Sequence, residues 1–527
     1  MSVTLSIDEF RARDLTWATR SWALLDLRDA GEFADGHIPG ATTLPRRMLE
    51  FRISEVLPDP SWPIVVYDDG AGDQRAALGA ARLVEMGMSD VCVLQDGVAA
   101  WVAAGQALAT GSNVPCKAFG EEVLHSDPVE NVTPEELHGL RAEARSLAIC
   151  DVRTSGEYTL HHLPGAASYP GFELAVHLPR LMQDHAQVVL NCAGRTRSII
   201  ATATARALGF ECFAVENGTM GWRLAGYEVE SGAAQDLPPP PPEDVDAVTA
   251  RARDLAIESG VLPLAAGDVA DLRATAGQKR PYLVDVRPQD AVMAGHIEGA
   301  IWLPGGQAAQ RTDDFLAVPG APVVVIDDGD ARAWLAAWWM KRMGFPTVHV
   351  LDGGMPAWCA EDRDVTTGRG RVRPAMLDAL DGRFPKLGVQ ALKERLARTP
   401  LPRVIDVSTS KSFAKGHLPG AIWISRGWLE ARIADHACLD DEIIISASDP
   451  AQALLAAEAL SKLGYGRVSV FAASLSAWKR EGGAVETGAA PGAPNDIVEP
   501  PYEQGLQAMR DYLEWEIQLT AGKAVPG

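Results

Sequence analysis

The chain has 527 residues, which exceeds the size that one hydrophobic core usually supports and therefore indicates several domains. Its composition is that of an ordinary globular protein, and its formal net charge of −22 argues against a general nucleic-acid or anionic-membrane surface. No run of about 18 apolar residues and no signal-peptide pattern is present, so no membrane span is predicted and we expect a cytoplasmic protein.

The seven cysteines are scattered along the chain without a CxxC pair or a metal-ligand spacing. Neither a disulfide framework nor a metal site is therefore predicted. A reducing compartment fits this cysteine usage best.

One residue pattern recurs four times along the chain. An apolar run ends in Asp-x-Arg or Asp-Val-Ser and a His-x-x-Gly-Ala segment follows, with the pairs Asp26 and His37, Asp151 and His162, Asp285 and His296, and Asp406 and His417. A second apolar run and an Ala-rich helical segment come next, and each copy closes on a strand, a turn and a helix with a tryptophan. Strands that alternate with helices at short connections predict a parallel sheet covered by helices on both faces. The period of roughly 120 to 135 residues is that of a whole domain.

The repeat divides the chain into four domains and a tail. We predict domains over residues 5–110, 131–232, 262–368 and 386–488, followed by a C-terminal tail over residues 489–527. The proline run from Pro238 to Pro242 predicts a semi-rigid spacer and the sharpest break in the chain. We therefore expect a fragment that ends near Asp236 to fold alone.

Two segments outside the repeats lead to different predictions. The first linker, about Thr110 to Thr133, has a polar and irregular residue pattern. The tail segment Glu503–Leu519 has apolar residues at helical spacing, and we expect it to dock on a neighbouring domain through Leu506, Met509, Tyr512, Leu513 and Ile517.

The strongest chemical signal lies around Cys192. An apolar run from Gln187 ends at this cysteine, a short loop with one glycine and two arginines follows, and a helical segment begins near Ser198. Backbone N–H groups curled around a point and the positive end of a helix stabilise an anion, which here is the thiolate. Arg195 and Arg197 favour the thiolate further, so Cys192 is predicted to be a nucleophile rather than a core cysteine.

A cysteine stands at this position in the second copy alone. Counted from the apolar strand, the equivalent residues are Asp69 in the first copy, Asp328 in the third and Ser448 in the fourth. Aspartate and serine are preferred helix N-caps, and the loops around Asp69 and Asp328 bring further acid rather than a cationic cradle. These three domains are therefore predicted to be inactive.

The residues that recur in every copy are interpreted as structural. The four repeat histidines also occur in copies without the cysteine, so we expect each to make a hydrogen bond that fixes the following turn. By the same logic Asp151 and Arg153 are predicted to form an ion pair or a cap. Trp222 is assigned to the core.

The four matched copies and the loop Cys192-Ala-Gly-Arg-Thr-Arg-Ser198 resemble the rhodanese sulfurtransferases. The resemblance implies four tandem rhodanese-like α/β domains, each a parallel sheet with helices on both faces. It implies that Cys192 carries a persulfide between a thiosulfate-like donor and a thiol or cyanide-type acceptor, without a metal or organic cofactor.

The same resemblance assigns roles to the rest of the loop. Backbone amides along the loop would cradle the persulfide, and the two arginines would hold the sulfonate end of the donor. The predicted substrate-binding residues are Ala193, Gly194, Arg195, Thr196, Arg197 and Ser198. Glu157 stands where two-domain thiosulfate enzymes tend to carry an arginine, which leaves the identity of the donor open.

Two-domain rhodaneses pair an inactive N-terminal copy with an active C-terminal copy, and the active cleft lies between the two. The resemblance therefore implies a cleft between the first and second domains, with the third and fourth domains as a second pair. A fragment that ends near Asp236 would then keep its turnover.

Two other functions stay open at this point. Cysteine-dependent phosphatases and arsenate reductases use C-x5-R, whereas the sixth residue after Cys192 is Ser198, and this disfavours that class. A non-catalytic scaffold of four rhodanese-like domains also fits, since three of the four copies are predicted to be inert.

Overall fold

The structure is a computed structural model that describes residues 3–57, 59–70, 72–143, 146–274, 280–368, 374–492 and 494–521. Those residues form four five-stranded sheets, one in each copy of the repeat, and their strands pair in parallel. Within each copy the strands lie in the order first, fifth, fourth, second, third. Helices cover both faces of each sheet, which confirms the predicted fold class of four tandem α/β domains.

The first two copies follow one element pattern. The strands of the first copy are β1 (Val3–Leu5), β2 (Ala23–Asp26), β3 (Thr42–Thr43), β4 (Ile64–Tyr67) and β5 (Val91–Leu94). Its helices are α1 (Ile7–Arg11), α2 (Ala30–Asp35), α3 (Leu49–Val56), α4 (Arg75–Glu85) and α5 (Gly97–Ala103), and α6 (Val114–Ser126) follows. The strands of the second copy are β6 (Asn131–Val132), β7 (Leu147–Asp151), β8 (Ala167–Ser168), β9 (Gln187–Asn191) and β10 (Phe213–Val215). Its helices are α7 (Pro134–Ala142), α8 (Ser155–Leu160), α9 (Leu178–Asp184), α10 (Thr196–Ala207) and α11 (Gly218–Leu224).

The last two copies repeat the pattern after α12 (Pro242–Glu258). The third copy contains β11 (Leu262–Leu264), α13 (Ala266–Ala274), β12 (Tyr282–Asp285), α14 (Gln289–Ala294), β13 (Ile301–Trp302), α15 (Gln307–Gln310), α16 (Thr312–Phe315), β14 (Val323–Ile326), α17 (Ala331–Arg342), β15 (Val348–Leu351) and α18 (Gly354–Ala360). After α19 (Ala375–Leu380) in the third linker, the fourth copy contains β16 (Lys386–Leu387), α20 (Val389–Leu396), β17 (Arg403–Asp406), α21 (Ser410–Lys415), β18 (Ile422–Trp423), α22 (Leu429–Arg432), β19 (Ile443–Ser446), α23 (Pro450–Lys462), β20 (Val468–Phe471) and α24 (Leu475–Arg480). The tail adds α25 (Pro501–Gln504) and α26 (Leu506–Ala521), and short 3-10 helices lie at Trp17–Thr19, Arg46–Met48, Gly171–His177, Arg426–Trp428 and Ile433–Asp435.

The recurring residues tie equivalent elements together. Nδ1 of each repeat histidine lies 2.8 or 2.9 Å from the carbonyl oxygen four residues earlier, which fixes the histidine to the short helix before it. Asp151 and Arg153 form a buried ion pair in which Oδ2 and NH2 are 2.7 Å apart. The Trp222 ring is buried and donates to the carbonyl oxygen of Glu228 at 2.8 Å. These contacts confirm the predicted ion pair of Asp151 with Arg153 and the core position of Trp222, whereas each histidine bonds to the helix before it rather than to the turn after it.

The first domain packs against the fourth. Arg46 forms an ion pair with Glu430 at 3.0 Å, and Arg426 forms one with Glu50. Arg46 and Arg426 begin equivalent 3-10 helices, so the two domains meet through the same face in a reciprocal arrangement. The expectation that the fourth domain pairs with the third is therefore wrong.

The second domain packs against the third through the corresponding face. Gly171 lies so near the third domain that a Cβ on it would sit 2.0 Å from the Gly306 backbone nitrogen. At the same interface Trp339 donates to Thr204 Oγ1 at 2.8 Å within a shared hydrophobic core. The expected pairing of the first and second domains is wrong, because this face of the second domain is already buried by the third.

The inter-domain segments also differ from expectation. The linker predicted to be irregular contains the helix α6. Helix α12 begins at Pro242, the last residue of the proline run, since proline is compatible with the first helical turn. This helix buries Val248, Ala252 and Ala256 in the core that the second and third domains share. The proline run is therefore followed by packed structure and is not a break between independent halves.

The described helices and side chains bear on two further predictions. None of the helices in the described part of the chain has both the length and the hydrophobicity needed to cross a membrane. Across the same residues, no group of three or more His, Cys, Asp or Glu side chains is placed to hold a metal ion. Positions 493 and 522–527 of the predicted tail lie outside the described residues.

Candidate active site

Cys192 lies where an inner strand of the second sheet meets a helix. It follows β9 directly, and α10 begins at Thr196. Because β9 lies between β7 and β10, its carboxyl end delivers the thiol to the edge at which open α/β sheets bind ligands. The residue is buried, and its Sγ lies 3.3 Å from Ser198 Oγ and 3.7 Å from the carbonyl oxygen of Arg195. Residues 192–198, called the Cys192 loop below, thus form a compact turn at a helix N-terminus.

Arg195 fastens the Cys192 loop to α6. Its Nε and NH2 donate to the two carboxylate oxygens of Glu121 at 2.6 and 2.8 Å, and its NH1 donates to Asn217 Oδ1 at 2.9 Å. Burial alone would lower the pKa of this guanidinium, but the Glu121 carboxylate raises it. The bidentate pair neutralises both charges and orients the arginine.

Arg197 is held in the same way by Glu157, the capping-box residue of α8. Both of its terminal nitrogens donate to the carboxylate at 2.7 Å, and the guanidinium is buried. Burial alone would raise the pKa of Glu157, but the adjacent Arg197 lowers it to about 2. The two arginines predicted to hold an anionic donor are therefore already paired with carboxylates.

A cavity of about 810 Å³ opens beside Cys192. Its walls come from residues 192–197 of the loop, from residues 110–113 and 117 around the start of α6, from residues 310 and 311 of the third domain, and from the tail. Ala34 and Thr110 come from the first domain among the described lining residues. The predicted cleft between the first and second domains is therefore incomplete, because the third domain and the tail also line the cavity.

The C-terminal helix α26 closes one side of the cavity. Met509 and Leu513 are buried against Met220 of α11, which confirms the predicted docking for this part of the helix. Leu506 and Ile517 were also expected at the contact, but they are 47% and 45% exposed, so the prediction is wrong for these two residues.

Polar groups of α6 and α26 meet the Cys192 loop on this side. Thr196 donates to Glu516 Oε1 at 2.6 Å. Lys117 Nζ lies 5.0 Å from the ring centre of Tyr512 and 4.7 Å from that of Trp515, as expected for a cation over aromatic faces. Burial and the nearby Glu516 carboxylate raise the pKa of Tyr512 well above its ordinary value.

The sequence did not identify the site residues that lie outside the second domain. Lys117 and Glu121 are four positions apart in α6 and face the loop from a segment predicted to be irregular. Glu516 lies at helical spacing from Met509 and Leu513, so the sequence places a charged residue on the apolar face of the tail helix. The structure buries that charge. A buried charge on the docking face of an amphipathic helix is the pattern that could have pointed to it.

The three positions equivalent to Cys192 have other partners. Asp69 pairs with Arg28 at 3.1 Å and Asp328 pairs with Arg287 at 3.2 Å, in both cases the arginine of the Asp-x-Arg motif. The backbone N–H of Ser448 donates to a neighbouring serine hydroxyl at 2.8 Å. The expected N-cap role is wrong, since the caps of the following helices are Gln74, Asp330 and Asp449.

Three of the other cysteines are buried thiols in apolar or acidic surroundings. Burial raises the pKa of Cys116 and of Cys150 well above the ordinary value and raises that of Cys212 to about 12. None of the three therefore has the environment of a nucleophilic thiolate.

Comparison with known proteins gives matches over most of the chain. A family model described as "Rhodanese-like domain" matches residues 11–104, 133–225, 267–361 and 388–481. A thiosulfate sulfurtransferase of Pseudomonas aeruginosa is 27% identical over 226 residues, which cover 36% of this chain and 82% of the relative. An HTH-type transcriptional regulator of Mycobacterium tuberculosis is 38% identical over 114 residues, or 21% of this chain, and the match spans about half, 49%, of the regulator.

A solved structure matches the whole arrangement of domains. The crystal structure of a thiosulfate sulfurtransferase from Pseudomonas aeruginosa superposes with a TM-score of 0.87 at 33% sequence identity. The match covers 98% of this chain and 97% of the other.

Proposed function

The chain belongs to the rhodanese family as a tandem sulfurtransferase with four rhodanese-like domains, and from that premise we propose that Cys192 carries the transferred sulfur as a persulfide. The donor is thiosulfate or a similar sulfane-sulfur compound, and the acceptor is a thiol or a cyanide-type nucleophile. The observation that carries the proposal is the position of the Cys192 thiol at a helix N-terminus beside a cavity of about 810 Å³.

The first step transfers sulfur to the protein. The Cys192 thiolate attacks the outer sulfur of thiosulfate, a bond forms between Sγ and that sulfur, and sulfite leaves with the electron pair of the broken S–S bond. In the second step an acceptor nucleophile attacks the outer sulfur of the persulfide. Cys192 then leaves as the thiolate, and the cycle is complete without a metal or an organic cofactor.

The Cys192 loop supplies the binding groups in this scheme. The N–H groups of Ala193, Gly194, Thr196 and Ser198 cradle the persulfide at the start of α10. Arg195 and Arg197 orient the sulfonate of the donor with the N–H groups that their carboxylate partners leave open. Because Glu121 and Glu157 neutralise both guanidinium groups, we expect weaker retention of a doubly charged donor than two free arginines would give.

Three of the four domains have a supporting role in this proposal. We assign the rhodanese-like domains to residues 5–110, 131–232, 262–368 and 386–488 and the tail to 489–527, with catalysis in the second. The third domain and the tail complete the walls of the cavity, while the carboxylates at positions 69 and 328 form ion pairs instead of serving as nucleophiles. We place the reaction in the cytoplasm, because all seven cysteines are free thiols.

Two assays on one sample test the reaction class. Thiocyanate formation from thiosulfate and cyanide should occur, and phosphate release from a phosphatase substrate should not. The reverse result would assign the loop to a phosphatase or arsenate reductase, and the absence of both activities with all sulfane donors would favour a non-catalytic scaffold.

A further inference from the structure

Glu516 is the group in the cavity wall that the proposed sulfur transfer leaves unused. The residue is 1% exposed. Its Oε1 accepts a hydrogen bond from Thr196, but its Oε2 is buried and has no hydrogen-bond partner among the described residues. A Cβ on Gly194 would lie 3.6 Å from Oε2, so the free oxygen faces the Cys192 loop.

The neighbouring cationic groups have other partners. Arg195 and Arg197 are paired with Glu121 and Glu157. Lys117 donates to the carbonyl oxygen of Ser112 at 2.7 Å and lies over two aromatic rings. Burial lowers its pKa and the Glu516 charge opposes that shift, but no hydrogen bond joins the two side chains. A buried charged oxygen without a partner is costly, so a ligand that donates to Oε2 gains more there than in water.

The negative charge of the Glu516 carboxylate determines which substrate of the reaction can bind to Oε2. Thiosulfate and sulfite are anions that accept hydrogen bonds, and Oε2 repels them. The exposed carboxylate of Asp511 lines the same cavity and adds to the negative potential. The carboxylate therefore favours a positively charged acceptor that arrives after sulfite has left.

We propose that Glu516 Oε2 binds the ammonium group of a small aminothiol acceptor and places its sulfur against the Cys192 persulfide. The inference rests on the proposed sulfur transfer. The acceptor enters with its ammonium group and a thiolate, and its sulfur attacks the outer sulfur of the Cys192 persulfide. A new S–S bond forms in the acceptor, the bond to Sγ breaks, and its electron pair stays on Cys192 as the thiolate. The product is the persulfide of the aminothiol, and atoms and charge are conserved.

Glu516→Gln tests this assignment at one atom. The variant keeps an oxygen that can accept from Thr196 and replaces Oε2 with an N–H donor of the same size. Cysteamine and 2-mercaptoethanol are matched probes, because the first carries an ammonium group where the second carries a hydroxyl. Glu514→Gln is the control, since it removes the same charge from an exposed position of α26 that does not line the cavity.

We expect kcat/KM for cysteamine to fall by about tenfold or more in Glu516→Gln, mainly through KM, as expected for a lost charge-assisted hydrogen bond. Transfer to 2-mercaptoethanol should stay within about twofold of wild type, and persulfide formation from thiosulfate should not fall, because the variant removes a charge that repels this donor. Glu514→Gln should match wild type with both thiols.

An equal loss with both thiols, or no loss with either, would overturn the role of Glu516. A wild-type protein that forms no persulfide with any donor would overturn the proposed function instead. Binding of cysteamine to the Cys192→Ser protein, measured by calorimetry with and without Glu516→Gln, decides the ammonium contact independently of turnover.

Discussion

At the scale of single residues, the pairing of charges distinguishes the Cys192 loop from its counterparts. Arg197 meets one carboxylate and Arg195 meets another, so each loop arginine carries a neutralising partner. In the third domain, Arg332 lies among Asp328 and Asp330, and the local charge is negative. The difference in net charge, rather than the presence of arginine, separates the two loops.

The Arg197–Glu157 pair makes a prediction about pH. Arg197 lowers the pKa of Glu157 from 4.5 to about 2, so the pair stabilises the fold above about pH 4.5 and this contribution is lost as the pH falls toward 2. Glu157→Gln should therefore lower the free energy of unfolding by about 1 to 3 kcal/mol at pH 7, with a smaller difference at each lower pH. Urea unfolding, from pH 7 down to the lowest pH at which both proteins stay folded, measures this difference in the free energy of unfolding. Glu136→Gln, at the exposed capping-box position of α7, is the control. A difference that stays constant with pH would contradict the assignment.

The third domain should stay inactive even with a cysteine. In Asp328→Cys combined with Cys192→Ser, the new thiol would lie next to Asp330, whose carboxylate binds Arg332 in a bidentate pair. The Asp330 carboxylate still lies beside the new thiol and opposes thiolate formation, and the single Arg332 that it binds stands where the Cys192 loop has two arginines. Mass analysis after incubation with thiosulfate should find no persulfide on residue 328. Substantial persulfide there would show that the cysteine alone decides activity.

At the scale of elements, α6 positions the Cys192 loop from outside its domain. The helix carries Glu121, which binds Arg195, and Gly120, at which the helix touches Thr196. A Cβ on Gly120 would lie 2.8 Å from Thr196 Cγ2, so the close approach requires glycine. The linker helix is therefore part of the site and not only a connection between domains.

Gly120→Ala should move α6 away from the loop. We expect a loss of about 1 to 3 kcal/mol in stability and a fall in sulfur-transfer rate, because the added methyl overpacks the contact with Thr196. Gly139→Ala is the matched control, since it also lies in a helix but nothing lies within 4 Å of its Cβ position. The control should be stabilised by up to about 1 kcal/mol with unchanged turnover. Thermal unfolding and initial rates are measured for wild type and both variants. Equal stability and turnover of the two variants would contradict the proposed role of the contact between Gly120 and Thr196.

The elements that the sequence predicts best are those whose signal lies inside one repeat. The strand before Cys192 is a continuous apolar run, Val188 to Leu190, and is buried on both faces as such runs predict. The helix α6 lacked such a signal, because its burial depends on residues more than seventy positions away, as in the bond from Arg195 to Glu121. Glu516 was missed for the same reason, since its contact with Thr196 joins positions 320 residues apart.

At the scale of the whole molecule, the domains form two reciprocal contacts, first with fourth and second with third, and the first domain also packs against the third. The repeat revealed four copies but carried no information about which copies meet. The two interfaces differ at one equivalent position, which is Arg46 and Arg426 in one pair and Gly171 and Gly305 in the other. Glycine there lets two backbones approach closely, whereas arginine requires a carboxylate from the partner domain. The residue at this position is therefore the same within each pair of domains and differs between the pairs.

This arrangement reverses the expectation for a fragment of the first two domains. A fragment of residues 1–236 lacks the third domain and the tail, and it exposes the apolar face that contains Ile199 and Ile200. We expect it to lose sulfur transfer and to associate or precipitate. Light scattering and a thiosulfate assay of the purified fragment measure both effects. A monomeric fragment with full turnover would show that the third domain and the tail are dispensable.

The most direct test of the central claim is the mass of the Cys192 peptide after incubation with thiosulfate and removal of free donor. The account predicts a gain of one sulfur atom on that peptide, its loss on addition of cyanide or a thiol, and no gain in Cys192→Ser. Sulfur on another cysteine, or continued turnover by the folded Cys192→Ser protein, would contradict it.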